Sequence, residues 1–192
     1  EPYRDWFDQT NLSMPETTAR DKLAAYLSEL QKWNKRMNLT ADRDPIRMLE
    51  RHLLDSLVMT SQVEQLGDAV LDIGSGGGFP AVPLAIVFPD IRFTLVERVA
   101  RKCAFLRAVG RKYELGNMIV LESDLDRLTV AAAVPVAMTR AVRVDESFLE
   151  ALKRIGVNRL LGFTSEPDST VVKSYQLPGE TGVRHLFLRH LI

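Results

Sequence analysis

The run Val70-Leu71-Asp72-Ile73-Gly74-Ser75-Gly76-Gly77-Gly78-Phe79-Pro80 constrains this chain more than any other. An apolar strand runs into an acidic residue, then into glycines at alternate positions, then into a proline able to start a helix. Gly74, Gly76 and Gly78 permit positive φ and let a ligand lie against bare backbone. Pro80 stands where a first helical residue would, a place at which its missing N–H costs nothing, and Val82, Leu84, Ala85, Ile86 and Val87 supply the apolar residues of a helix. Strand, loop and helix make half of a βαβ unit, and sheets built this way place ligands beyond the carboxyl ends of their strands. A cofactor site is therefore expected over residues 74–79.

The rest of the chain divides near Gly67. Before it the pattern is helical: Leu23, Tyr26, Leu27, Leu30, Trp33 and Met37 follow helix spacing, with Thr18 and Asp21 placed as a capping pair. Asp44-Pro45 then opens a second helix carrying Ile46, Leu49, Leu53, Leu57 and Val58. After Gly67 short strands alternate with helices, at Ala69–Ile73, 93–97, 118–121, Val136–Thr139 and 159–163, which implies a mostly parallel sheet covered by helices. Val171–Gln176 and Val183–His190 flank Pro178-Gly179-Glu180-Thr181-Gly182 and read as an antiparallel pair. The expected organisation is a helical extension over 1–66 packed on an α/β domain over 67–192.

The loop itself leaves two cofactor classes open. Gly76, Gly78 and Ala81 satisfy the permissive dinucleotide pattern G-x-G-x-x-G/A. Asp72, however, precedes the glycines with D-x-G-x-G-x-G spacing, and a carboxylate there suits an ammonium group better than a pyrophosphate, which it would repel. That favours S-adenosylmethionine (AdoMet). Glu97 ends the next strand about twenty residues after Gly78, where an acceptor for ribose hydroxyls is expected. The alternative is a glycine loop that is only a tight turn, with Glu97 a solvated cap.

Composition narrows the remaining classes. Lys plus Arg (25) equals Asp plus Glu (25) over 192 residues, so only local basic patches can speak for a polyanionic partner. The candidates are Arg98, Arg101, Lys102, Arg107, Arg111 and Lys112 after Glu97, and Lys32, Lys35, Arg36, Arg43 and Arg47 nearer the start. A single cysteine, Cys103, reads as a buried packing residue and suits a reducing cytoplasmic setting. No apolar run reaches membrane-spanning length, and three scattered histidines with one cysteine suggest no metal site. His185 and His190 alternate with apolar residues as surface or packing groups.

Several motifs in order carry a resemblance. Trp33-Asn34-Lys35 with Asn38-Leu39-Thr40, Arg43-Asp44-Pro45, Arg51-His52 with Asp55-Ser56-Leu57, the glycine run, Thr94-Leu95-Val96-Glu97, Arg101-Lys102 with Phe105-Leu106, Thr139-Arg140-Ala141-Val142 and Arg184-His185-Leu186 span residues 20–190. Together they resemble the glucose-inhibited division protein B family, bacterial methyltransferases of 16S ribosomal RNA acting on guanine N7. The resemblance implies a Rossmann-like class I AdoMet methyltransferase sheet and a small-subunit RNA partner, and it fits a monomer. It implies that Gly74 and Phe79 belong to the AdoMet site, that Asp72, Gly76 and Gly78 form its floor, and that adenine-side backbone contacts fall on Leu125 and Asp126, where aspartate replaces the usual glutamate. The family's arginine after the fourth strand falls on Arg140.

Departures are visible as well. Pro135 stands where many members carry aspartate, and Thr164-Ser165 stands near the family's Lys-Gly pair with a short segment following, as divergence or a missing loop would produce. The alternative function is a methyltransferase-like fold that binds nucleotide or RNA without transfer. If guanine N7 is the acceptor, its in-plane lone pair needs no general base, so no catalytic acid–base pair is expected and no catalytic residue is assigned. Arg140 then either orients O6 or a phosphate, since a bidentate grip on O6 and N7 would block the nucleophile, or holds a cofactor-side loop. His52, with Arg51, Asp55 and Ser56 on one helix, reads first as part of a structural hydrogen-bond network and second as a catalytic group.

Overall fold

Parallel strands are covered by helices on both sides, so nearly every residue along them must tolerate burial. The computed structural model describes residues 17–129, 134–177 and 180–191. Among these, β1 (Ala69–Ile73), β2 (Arg92–Glu97), β3 (Met118–Glu122), β4 (Val136–Thr139), β5 (Arg159–Thr164), β6 (Val171–Gln176) and β7 (Val183–His190) form one sheet in the order β3-β2-β1-β4-β5-β7-β6. The first five run parallel, and β7 runs antiparallel to both β5 and β6. The expected strands all occur, each end within one residue of the sequence reading. Of the turn expected over 178–182, Pro178 and Gly179 lie outside the described residues.

The helices are α1 (Thr17–Met37), α2 (Pro45–Met48), α3 (Leu54–Val58), α4 (Thr60–Leu66), α5 (Ala81–Val87), α6 (Ala100–Lys112) and α7 (Glu146–Arg154). Thr18 lies inside α1, which already includes Thr17, so Thr18 and Asp21 are helical residues rather than a cap. Asp44 does cap α2: its Oδ1 accepts from the Arg47 amide at 2.9 Å, with Pro45 in the first turn. The helix expected onward from there is interrupted by a π-helical turn at Leu49–Leu53. Apolar residues four apart stay on one side through a π turn, so the spacing Leu49, Leu53, Leu57 hides it. Pro80 occupies the cap position of α5, one residue outside the helix, and the Phe79–Pro80 bond is cis.

Side chains alternate across a strand, and this sorts the core into two faces. Val70, Phe93, Leu95, Val136 and Met138 pack with Leu23, Tyr26, Leu27 and Leu30 of α1, Leu84 of α5 and Phe105 and Leu106 of α6. Leu71, Ile73, Val96 and Ala137 pack with Phe148 and Leu152 of α7 on the other side. The described helices before Gly67 therefore share one continuous core with the sheet. Asp72, on the same strand face as Val70, is directed toward the α1 side. Chain order steps outward from β1 in both directions, so the crevice between the carboxyl ends of β1 and β4 is the topological switch point at which such sheets bind ligands. Among the described residues no helix is long and apolar enough to cross a membrane.

Candidate functional site

At the carboxyl end of β1 the backbone turns through positive φ at Gly74 (77°), Gly76 (55°) and Gly78 (97°). The glycines do different work. A Cβ on Gly74 would come within 2.7 Å of Val142 Cγ2, and one on Gly78 within 2.6 Å of Val82 Cγ2 and 3.0 Å of the Tyr26 hydroxyl, so these two let neighbouring elements close on the loop. Around Gly76 the nearest atom to such a Cβ is the Gly74 carbonyl oxygen at 3.7 Å, which leaves its backbone open to a ligand. The loop is held from two sides. The amides of Gly74 and Ser75 donate to Val96 O at 2.9 and 3.2 Å, and the Tyr26 hydroxyl of α1 donates to Gly77 O at 2.6 Å.

Two carboxylates face this loop. Asp72 is fully buried, and neither of its carboxylate oxygens has a hydrogen-bond partner. Burial raises its pKa from 3.8 to about 7, with nearby Glu97 pushing the same way. A wholly buried carboxylate without a partner fits the neighbourhood of a cationic ligand and opposes a diphosphate. Glu97 braces the loop: Oε2 accepts from the Gly76 amide at 2.9 Å and Oε1 from the Val99 amide at 2.8 Å. Lone pairs remain on both oxygens for a ribose diol. The residues present thus fit AdoMet, with open backbone at Gly76, an acceptor at Glu97 and negative charge at Asp72.

The neighbouring strand ends complete the crevice. After β3, the Ser123 amide donates to Glu97 O at 3.1 Å, and a 3-10 turn over Leu125–Arg127 follows. Leu125 is buried, and its carbonyl accepts from Arg154 Nη2 of α7 at 3.0 Å, while Asp126 is exposed. After β4, Thr139 Oγ1 donates to Ile73 O at 3.0 Å, which ties the Arg140 turn to β1. The sequence-selected residues Asp72, Gly74, Gly76, Gly78, Phe79, Glu97, Leu125, Asp126 and Arg140 therefore lie along one end of one sheet. The side chain of Phe79 is directed into the helical layer, stacked on His52 at 5.1 Å and tilted against Tyr26 at 5.5 Å.

Arg140 enters a polar cluster that sequence spacing did not reveal. Its Nη1 lies 2.7 Å from His52 Nδ1, and its Nη2 donates to Arg51 O at 2.7 Å and to Asp55 Oδ2 at 3.0 Å. A guanidinium can only donate, so His52 Nδ1 accepts and the ring proton resides on Nε2, which faces Asp42 Oδ2 at 2.9 Å and Thr40 Oγ1 at 2.7 Å. Burial, helped by Arg140, lowers the His52 pKa to about 4 and keeps the ring neutral. Ser56, four positions on, bonds the backbone of His52 rather than its ring: its hydroxyl donates to the His52 carbonyl at 2.7 Å. Asn34 explains the Asn-Leu-Thr segment, since its side chain donates to Asp42 O and accepts from the Thr40 amide, which fixes the loop that presents Thr40 to His52.

The basic clusters also separate. After Glu97, Arg98 pairs with Asp124, Arg107 with Glu122 and Lys112 with Glu29. Among the described residues no carboxylate pairs with Lys35, Arg36, Arg43 or Arg47, all exposed. Concavities of about 510 Å³, beside Lys32, Trp33 and Arg36, and about 310 Å³, beside Asn34 and Arg43, flank Lys35. Cys103 is buried as expected, donating to Glu97 O at 3.1 Å, and His185 Nδ1 lies 2.8 Å from the Ser174 hydroxyl.

Comparison with known proteins places these features in company. A family model, GidB, described as rRNA small subunit methyltransferase G, matches residues 19–160. The chain is 42% identical to the ribosomal RNA small subunit methyltransferase G of Ectopseudomonas mendocina, over 71% of this chain and 64% of that protein. It is 39% identical to the protein of the same name from Pseudomonas paraeruginosa, over 88% of this chain and 85% of that one. The solved structure of a SAM dependent methyltransferase from Aquifex aeolicus superposes with a TM-score of 0.54 at 17% identity, covering 84% of this chain and 97% of that one, a likeness of fold.

Proposed function

The chain belongs to the rRNA small subunit methyltransferase G family, and on that footing we propose that it transfers a methyl group from AdoMet to N7 of a guanine in 16S ribosomal RNA. The observation that supports the donor most is the partnerless buried carboxylate of Asp72 beneath an open glycine loop. When bound, AdoMet supplies a methyl carbon made electrophilic by its sulfonium. Gly76 presents bare backbone to it, Glu97 offers acceptors for the ribose, the turn at Leu125 and Asp126 borders the adenine side, and Asp72 balances the positive charge.

The acceptor side needs no proton removed, because guanine N7 attacks through a lone pair in the ring plane. Beside Arg140, His52 is neutral, and its one basic nitrogen already accepts from that guanidinium. What this chain contributes is placement of the base, with the entropy saved by holding both reactants in line. Arg140 orients O6 or a phosphate while leaving N7 uncovered. A stacked guanine must be exposed first, so the target is unpaired or extruded. The unpaired cations at Lys35, Arg36, Arg43 and Arg47 provide the phosphate-binding face.

Incubation with methyl-labelled AdoMet and unmodified small-subunit RNA, naked and as assembled particle, followed by digestion to nucleosides, tests the reading. Label is expected in 7-methylguanosine; label in another nucleoside would refute the acceptor atom, and no label would favour a binding protein without transfer.

A further inference from the structure

A long flexible arginine loses substantial side-chain entropy when it is held in a single orientation, yet Arg140 is gripped by three residues of two elements. The π turn supplies His52 Nδ1 at 2.7 Å and Arg51 O at 2.7 Å, and α3 supplies Asp55 Oδ2 at 3.0 Å. Asp55 is only 1% exposed and is shared: Arg184 Nη1 of β7 donates to Oδ2 at 2.8 Å, and the Tyr175 hydroxyl of β6 donates to Oδ1 at 2.7 Å. His52 is backed in turn by Asp42 and Thr40, and Arg184 by a two-toothed contact with Glu180. Of the five guanidinium N–H donors on Arg140, these contacts commit three and leave two for a ligand.

Burying such a cluster brings little net stability compared with apolar packing, so its return lies in fixing geometry. We infer that His52 and Asp55 are positioning residues for methyl transfer, clamping the Arg140 guanidinium at the carboxyl end of β4 while the β6–β7 hairpin closes the clamp through Tyr175 and Arg184. Phe79 stacks on the outer face of His52, so the clamp is keyed to the end of the glycine loop as well. The inference rests on the proposed reading that Arg140 faces the acceptor RNA.

The test uses the full chain and compares wild type, Arg140→Ala, His52→Leu, His52→Asn and Asp55→Asn. Turnover and KM on small-subunit RNA, AdoMet affinity by calorimetry, and the nitrogen NMR signals of the Arg140 guanidinium are read for each. Asparagine places an acceptor oxygen where Nδ1 sits; leucine fills space without one. His52→Leu is expected to lower kcat by about tenfold or more, with AdoMet affinity little changed and the guanidinium signals averaged, and His52→Asn to recover most of both. Asp55→Asn, where it folds, is expected to fall toward Arg140→Ala. Equal impairment of His52→Leu and His52→Asn, or wild-type turnover in His52→Leu beside an inactive Arg140→Ala, would overturn the clamp alone. If the wild type moves no methyl, the proposed function falls, and unaltered guanidinium signals in His52→Leu would then overturn the clamp independently.

Discussion

Asp72 illustrates how a single residue can cost stability at the position proposed for binding. Its carboxyl is neutral and harmless below pH 4, but in the folded chain it ionises only near pH 7, against 3.8 when exposed. The folded state therefore loses stability as pH rises from about 4 through about 7, by up to about 4 kcal/mol when ionisation is complete. Asp72→Asn should accordingly melt above wild type at pH 8, by a margin that shrinks at pH 5, while binding AdoMet more weakly. A cation arriving beside Asp72 lowers its pKa, so AdoMet binding near neutral pH should release a fraction of a proton. Calorimetry in two buffers of different ionisation enthalpy measures that release, and proton uptake would count against the placement. Asp72 and Glu97 were legible in the sequence because an acidic residue at the end of an apolar strand is conspicuous. The grip of Glu97 on the Gly76 and Val99 amides was not, since amide directions depend on loop dihedrals that no residue type fixes alone.

At the level of elements, α1 is joined to the cofactor loop by one hydrogen bond as well as by packing. Tyr26 is fully buried, and burial together with Asp72 holds its pKa well above the ordinary tyrosine value, so the hydroxyl stays protonated and donates to Gly77 O. Tyr26→Phe removes that bond without opening a cavity, and a stability loss of about 1 kcal/mol is expected. If the bond also shapes the loop, AdoMet affinity should fall with it; an unchanged dissociation constant would assign Tyr26 to packing alone. The helix spacing of Leu23, Tyr26, Leu27 and Leu30 foretold this face of α1 correctly. The π turn leaves no mark in the spacing because side chains four apart stay aligned through it. That turn presents the His52 ring and the Arg51 carbonyl to Arg140, so a spacing that hides the turn also hides the cluster it builds.

For the whole molecule, a neutral total charge conceals an uneven distribution. Of the six cations from Arg98 to Lys112, Arg98, Arg107 and Lys112 are answered by acidic partners, whereas those around Lys35 and Arg43 are not. Lys35→Ala with Arg43→Ala should weaken RNA binding and reduce the slope of log affinity against log salt by about one to two; an unchanged slope would move the RNA face elsewhere. A mostly parallel sheet could be anticipated from the alternation of strands and helices, and the antiparallel end from the turn-rich stretch before Val183. The convergence of Arg140, Asp55, Tyr175 and Arg184 could not, because contacts between residues 85 to 129 positions apart leave no trace in local periodicity. Everything functional in this account depends on the identity of the small molecule proposed for the glycine loop. Calorimetric titration of the purified chain with AdoMet and, separately, with NADH decides it: one equivalent of AdoMet with measurable heat and no binding of NADH is predicted, and preference for NADH or silence with AdoMet would contradict the account.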